Sequence, residues 1–342
     1  MPTPLELTQG LYLQRRSLSN RATVAGLRLW RAINPNELDQ GWSRVGRTIA
    51  LITTEAQLQS ASLSTGFVDS VIAETSFKPL NGLTDPRQYA GVAPDGRGLT
   101  ALLYGAVTET KRTTGLGWQV GSAFEAGAAF LATAMKSAIA DIARQHDQVY
   151  MNAKGVKRYI RTVSPGACSR CAILAGTFSS SVAFQRHPNC QCLAVPLPVG
   201  NVPKGMEDFS SPGAYFDSLS LAEQARIFTV DGAQAIRDGA DIIQVVNARR
   251  GAYYTRTSSV APNRLRPVQI GVKADGSPLY VYATTEGTTR RGQFSRLEQR
   301  RLAADPNYRT TTLRLMPEQI YQMAGSNPDR ARELLIRYGY IW

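Results

Sequence analysis

A short window concentrates the thiol and imidazole side chains of this sequence. All four cysteines and one of the two histidines lie between Ser164 and Pro196. Their order is Cys168-x2-Cys171-x15-His187-x2-Cys190-x1-Cys192. A Cys-x2-Cys turn brings two thiolates to one ion, and a second turn with two more ligands completes a tetrahedron, as in structural zinc sites. The spacing therefore predicts one structural zinc.

The window offers five ligands, whereas a structural zinc takes four. Cys168, Cys171 and His187 are the first three predicted ligands, and Cys190 is the fourth. Cys192 is either a spare ligand or replaces Cys190. Two other interpretations stay open at this point. The window could hold buried thiols with a capping histidine, with a disulfide after oxidation, or it could be a catalytic centre.

The known patterns for catalysis are incomplete in this sequence. A zinc deaminase needs His-x-Glu upstream of its cysteines, but the upstream histidine lies in His146-Asp147-Gln148. A serine hydrolase needs a histidine base and a Gly-x-Ser-x-Gly turn, and that turn is missing. A zinc-knuckle nuclease needs one more histidine for its catalytic metal. We therefore predict no catalytic and no cofactor-binding residue, and we expect His146 to be a surface histidine at a helix end.

The charge of the chain is strongly positive and unevenly spread. The net charge is +13, and residues Arg249 to Trp342 carry +9 of it, almost all of it as arginine. Arginine forms bidentate contacts with phosphates and carboxylates, and a basic surface favours polyanions such as nucleic acid. We expect this tail either to contact DNA without reading its sequence or to be a solvated surface. Paired arginines and tyrosines recur in it: Arg249-Arg250, Arg290-Arg291, Arg300-Arg301, Tyr253, Tyr254, Tyr280, Tyr282 and Tyr308.

Targeting and membrane signals are not recognisable. The first residues lack the basic start and apolar run of a signal peptide. The most apolar stretch, which starts at Phe124, contains Glu125, Lys136 and Asp141, so we predict no membrane span. We expect the protein in a reducing cytoplasm, where clustered cysteines bind metal more often than they form disulfides.

The elements that must position the window are mostly helical. Apolar residues recur at helical spacing in two segments on either side of Pro35, and Trp30 and Trp42 are predicted to lie in the core. A loop-rich segment follows, and then a long helix from about Trp118 to Gln145. Its many alanines and glycines allow neighbouring helices to approach closely. The alternating segment GVKRYIRTVSP predicts a short strand that leads into the window.

The C-terminal part of the sequence predicts short helices and a β-hairpin. A Ser220-x-x-Glu223 capping box starts one helix, and the segment GAQAIRDGADIIQVV predicts the next. Asp275-Gly276 predicts the turn of a β-hairpin, and Pro317 and Pro328 mark the starts of two terminal helices. The predicted fold is mainly α with a small α+β zinc-knuckle-like region and an Arg-rich, turn-rich C-terminal tail. The predicted domains are 1–75, 76–200 and 201–342.

The window resembles a known family. CSRCAILAG followed by FQRHPNCQC is similar to the C-x-x-C and H-P-x-C-x-C of the MuF-like head-morphogenesis proteins of tailed bacteriophages. The matching residues are Cys168, Cys171, His187, Pro188, Cys190 and Cys192. The order of long helix, short strand and window also agrees over about Trp118 to Pro196. A looser similarity to versions from phages of actinobacteria extends over Gly232 to Tyr340.

This resemblance implies a virion protein. Such minor capsid proteins are associated with the portal vertex inside the head and help assembly, DNA packaging or DNA delivery. The implied partners are the portal protein, the major capsid protein and packaged DNA, without a membrane. The implied location is the capsid interior, and the host cytoplasm during assembly. We expect a non-enzymatic protein, and the alternative is a zinc-knuckle nuclease or a capsid maturation protease.

Overall fold

The computed structural model describes residues 2–252, 265, 267–273, 275–287 and 313–342. The described chain is mainly helical with small sheets, in agreement with the predicted class. It divides into two compact units. Unit 1 comprises Met1–Ala167 and Leu174–Tyr215, and unit 2 comprises Phe216–Trp342 with the short segment Cys168–Ile173. The division into domains 1–75, 76–200 and 201–342 stays a prediction.

Unit 1 begins with two long helices, α1 (Pro4–Arg31) and α2 (Leu38–Ala73). Thr3 caps α1 because its side chain accepts from the amide of Glu6 while the Glu6 carboxylate accepts from the amide of Thr3. Pro4 occupies the first turn, where its missing N–H costs nothing. The predicted break at Pro35 is confirmed, since it lies in the connection between the two helices.

Two tryptophans anchor the helical core, as predicted. Trp30 is fully buried, and its ring stacks on Phe124 with centroids 4.9 Å apart. Trp42 meets Trp30 edge-on at 6.4 Å. Aromatic pairs in these geometries add to the free energy gained from burial alone. The contact with Phe124 joins α1 to a third long helix of the apolar core.

Helix α5 (Val120–Ala153) runs through the middle of unit 1. Its apolar residues Phe124, Leu131, Met135 and Ile142 are buried, and the helix ends at Ala153, beyond the predicted end at Gln145. By length and composition it is apolar enough to cross a membrane, and half of its most apolar window is buried in the protein. The central helix of a soluble bundle has the same properties, so one such helix is only weak evidence for a membrane span.

Two shorter helices, α3 (Leu99–Leu103) and α4 (Gly105–Gly115), pack beside α5 after the loop-rich segment. Gly127 of α5 faces α4 so closely that a Cβ atom there would lie 2.1 Å from Thr110 Oγ1 and 2.7 Å from the Trp30 ring. The expectation of close helix approach is confirmed at this position, because any side chain would force the helices apart.

A three-stranded antiparallel sheet follows α5. Its strands are β1 (Arg158–Thr162), β2 (Gly176–Ser179) and β3 (Leu193–Pro196), in the order β2-β1-β3. Ile160 of β1 pairs with Thr177 on one side and Val195 on the other. The predicted strand before the window is therefore confirmed as β1. The sheet brackets the window, since β1 precedes the cysteines and β3 follows them directly.

The helices of the second half are short. They are α7 (Pro212–Asp217), α8 (Leu221–Phe228), α9 (Val230–Arg237), α10 (Ile242–Ala248), α11 (Pro317–Ala324) and α12 (Pro328–Arg337). The predicted capping box of Ser220 and Glu223 is confirmed at the start of α8. The segment predicted as one helix is instead split into α9 and α10. Gly239, with φ of 97°, lies between them in the left-handed region that favours glycine.

Two small antiparallel pairs complete unit 2. Strands β4 (Val268–Val272) and β5 (Pro278–Val281) form the predicted hairpin. Asp275 stabilises its turn by accepting hydrogen bonds from the amide and hydroxyl of Ser277. Strands β6 (Ala283–Thr284) and β7 (Arg314–Leu315) pair beside the two terminal helices. The core of this unit includes Ala235, Val245, Leu315, Ile320, Leu334 and Leu335.

Candidate metal centre

The first cysteine pair lies on one helical turn, α6 (Ser169–Ala172). Cys168 is the residue before the turn and has extended backbone, and its carbonyl oxygen accepts from the amide of Cys171 at 3.0 Å. Cys168 is exposed whereas Cys171 is buried. The Cys-x2-Cys spacing thus forms the tight turn that the sequence predicts.

The second set of ligands lies on the turn before β3. The amide of Cys190 donates to the carbonyl oxygen of His187 at 3.2 Å. Asn189, in the centre of this turn, has a φ of 62°, a left-handed conformation that asparagine tolerates better than most residues. Its amide donates to Ser137 Oγ of α5 at 2.8 Å. The turn is therefore held against the long helix.

The five predicted ligands fall into two overlapping groups. Cys168, Cys171 and His187 form one, and Cys171, Cys190 and Cys192 form the other. Within each group the ligand atoms all lie within 4.8 Å of one another. Cys171 belongs to both groups, so its sulfur lies within 4.8 Å of a ligand atom of each of the other four residues. These cysteines and the histidine lie close enough to bind a metal ion.

The donor set suits zinc. Tetrahedral zinc with Zn–S bonds near 2.3 Å places its sulfurs roughly 3.8 Å apart, and the ligand atoms within each group lie no more than 4.8 Å apart. Thiolate sulfur and imidazole nitrogen are the ligands that zinc prefers, whereas calcium and magnesium take oxygen. The chemistry of the residues therefore fits a structural zinc.

His187 has a hydrogen bond that can orient its ring. Its Nδ1 atom lies 2.8 Å from the carbonyl oxygen of Pro188. With the proton on Nδ1, the ring donates to that oxygen and presents Nε2 as the ligating nitrogen. Metal-binding histidines commonly donate their second ring N–H to a carbonyl or carboxylate, which fixes the tautomer.

Two buried arginines, which the sequence analysis missed, surround the second turn. Arg144 of α5 donates to the carbonyl oxygen of Cys190 at 2.9 Å and pairs with Asp141. Arg161 of β1 points Nη2 at Cys190 Sγ at 3.8 Å and donates to the carbonyl oxygen of Gln185. A cation beside sulfur stabilises the negative charge that thiolate ligation requires. The sequence does not predict that these two arginines lie beside the cysteine turn, because arginine is usually exposed.

No protein-family model, curated protein or solved structure matches this chain.

The prediction that His146 is a surface histidine at a helix end is wrong. The helix continues past it to Ala153, and His146 is fully buried. Its Nδ1 lies 2.8 Å from the carbonyl oxygen of Ala61, and its Nε2 lies 2.9 Å from Thr84 Oγ1. Burial lowers the pKa of His146 because the charged ring would lose its hydration. Both ring nitrogens are engaged, so His146 ties the loop after α2 to α5.

The Arg-rich tail is only partly described. Tyr253, Tyr254, Tyr308 and the pairs Arg290-Arg291 and Arg300-Arg301 lie outside the described residues. Arg249 pairs with Glu318, so this charge is neutralised within unit 2. Arg314 is fully buried, donates to the carbonyl oxygens of Tyr338 and Gly339 and lies 4.0 Å from the centre of the Tyr340 ring. These two arginines have structural contacts rather than an exposed guanidinium.

Proposed function

We propose that the window binds one structural zinc through Cys168, Cys171, His187 and Cys190. The observation that carries this proposal is the overlap of the two ligand groups at Cys171. Cys190 is chosen as the fourth ligand because the Arg161 guanidinium lies beside its sulfur. The zinc would join the two turns beside the short strands β1 and β3, and metal binding of this kind supplies folding free energy directly.

We further propose that the chain is a minor capsid protein of the MuF-like type from a tailed bacteriophage. The resemblance of the Cys/His window supports this proposal, as does the order of long helix, short strand and window along the chain. The protein would be associated with the portal vertex inside the head and would assist assembly, DNA packaging or DNA delivery. In this role the helices would contact portal or capsid protein, and the window would be structural rather than catalytic.

The virion role is tested on purified phage particles. Mass spectrometry of particles from the phage that encodes this chain should detect it at few copies per particle. Chemical cross-linking before disassembly should join it to the portal protein. Particles that lack the chain but package and deliver DNA normally would contradict the proposal.

The proposed DNA contact belongs to the Arg-rich tail. If several arginines neutralise phosphates, affinity for duplex DNA should fall with salt with a logarithmic slope of about −0.9 per phosphate. Replacing Arg290, Arg291, Arg300 and Arg301 with glutamine in the full chain should reduce that slope. Arg330→Gln is the matched control, because its side chain already pairs with Glu333. An unchanged slope in the fourfold variant would favour an acidic protein partner.

The competing proposal is an enzyme, either a zinc-knuckle nuclease or a capsid maturation protease. Incubation of the full chain with plasmid DNA and with phage scaffold protein distinguishes an enzymatic role from a structural one. We expect no cleavage of either substrate above that of a Cys171→Ser variant. Cleavage that disappears in that variant, while its fold is retained, would support the enzyme.

A further inference from the structure

A small buried cavity lies in unit 1 between three helices and the second cysteine turn. Ser19 of α1, Ser60 of α2 and Arg144 of α5 line it, with Gln191 between the two cysteines. The space open to the centre of a water molecule is about 10 Å³. A cavity of this size holds one water molecule and little more.

Three polar atoms at this cavity have no hydrogen-bond partner in the described part of the chain. They are Ser19 Oγ, Ser60 Oγ and Arg144 Nε. Their residues are only 4%, 1% and 3% exposed, so bulk solvent does not reach them. Buried polar groups in folded proteins are almost always paired, with protein atoms or with ordered water. The two hydroxyls do not bond to each other, so a guest in the cavity would give these atoms a partner.

The charges around the cavity favour a neutral guest. Arg15 also lines the cavity, but both of its terminal nitrogens bond to Asp147 at 2.7 Å. Arg144 pairs with Asp141, which also pairs with the partly exposed Arg186. Both arginines that line the cavity thus have a carboxylate partner, and moving an anion from water into this buried space would be costly. A water molecule can accept from Nε–H and bond to both hydroxyls, and three bonds are typical of buried water.

We propose that one water molecule occupies this cavity and bridges Ser19, Ser60 and Arg144. Arg144 donates through Nη1 to the carbonyl oxygen of Cys190. The water therefore connects α1 and α2 to the turn that carries the second cysteine pair. Its role is to position that turn, and this role is independent of whether zinc is bound.

A double-mutant cycle on the full chain tests the shared water. Ser19→Ala and Ser60→Ala should each lower the melting temperature by roughly 2–4 °C, because the water loses a partner. The double variant should lose less than the sum, since both changes act on one molecule. Ser62→Ala, at an exposed position of α2, is the control for the higher helix propensity of alanine.

Two results of the double-mutant cycle would contradict a shared water. In a dry cavity, removing an unpaired buried hydroxyl relieves a desolvation cost, so both single variants would be at least as stable as Ser62→Ala. Strictly additive losses would mean that each hydroxyl has its own partner. Either result would overturn the proposal. A crystal structure grown in bromide adds a direct test: an anomalous peak in the cavity would reveal a halide and refute the water.

Discussion

Substitution of Cys171 should weaken metal binding more than substitution of any other predicted ligand. Without Cys171, the remaining ligands belong to different groups, with Cys168 and His187 in one and Cys190 and Cys192 in the other. Structural zinc binds small domains with an apparent free energy of about 10–16 kcal/mol at neutral pH. An equal share among four ligands is about 2.5–4 kcal/mol each, and Cys171, which belongs to both groups, should contribute at least this share. Cys171→Ser should therefore raise the Kd for zinc by at least about 10²- to 10³-fold.

Cys192→Ser is the matched control for this experiment. Cys192 belongs to only one group, and the proposed ligand set does not require it. Its removal should therefore change the Kd by less than about tenfold, the equivalent of about 1.4 kcal/mol. The increase in Kd for Cys168→Ser should lie between those of the other two variants, because Cys192 can replace the lost thiolate beside Cys171 and Cys190.

The assay is competition for zinc against a chelator, with full-length protein purified without a histidine tag. Elemental analysis should first show about one zinc per chain. Cobalt substitution adds a spectroscopic measure, because thiolate-to-metal absorption reports the number of bound sulfurs. Wild-type protein without metal would refute the zinc site itself. A larger loss for Cys192→Ser than for Cys171→Ser would refute the shared position of Cys171.

Three further predictions concern the fold of unit 1. Gly127→Ala should destabilise the protein by about 1–3 kcal/mol in urea unfolding because its methyl group would overlap a threonine oxygen. Gly121→Ala, where no described atom lies within 4 Å of the new carbon, should instead stabilise by up to about 1 kcal/mol; equal effects would contradict this packing. Asp147→Asn should cost about 3–5 kcal/mol in thermal or urea unfolding, because it leaves the buried Arg15 charge without a counterion. Burial lowers the pKa of His146 in the folded protein below the value of about 6.5 in the unfolded chain. The free energy of unfolding should therefore be unaffected by this residue above about pH 6.5 and should fall as the pH drops below it. Melting curves from about pH 7.5 to 5.5 should show a smaller fall for His146→Gln, and an equal fall would reject this assignment.

The helices of this protein could be predicted well because their determinants are local. Apolar periodicity located α1, α2 and α5, and the capping box located the start of α8. The end of α5 could not be predicted, since the segment after Gln145 becomes more polar while its residues are still buried. His146 was misplaced for the same reason. Its burial depends on Ala61 and on Thr84, which are distant in sequence.

The candidate metal centre likewise combines features that depend on local sequence with features that depend on long-range contacts. The sequence by itself determined the ligand types and two turns of suitable spacing, because a Cys-x2-Cys turn is set by neighbouring residues. Only the tertiary structure decided that Cys171 lies within reach of both groups and that Arg144 and Arg161 lie beside Cys190. It also decided that three residues with unpaired polar atoms line one cavity. These relations depend on contacts between segments far apart along the chain, and residue spacing carries no information about such distances.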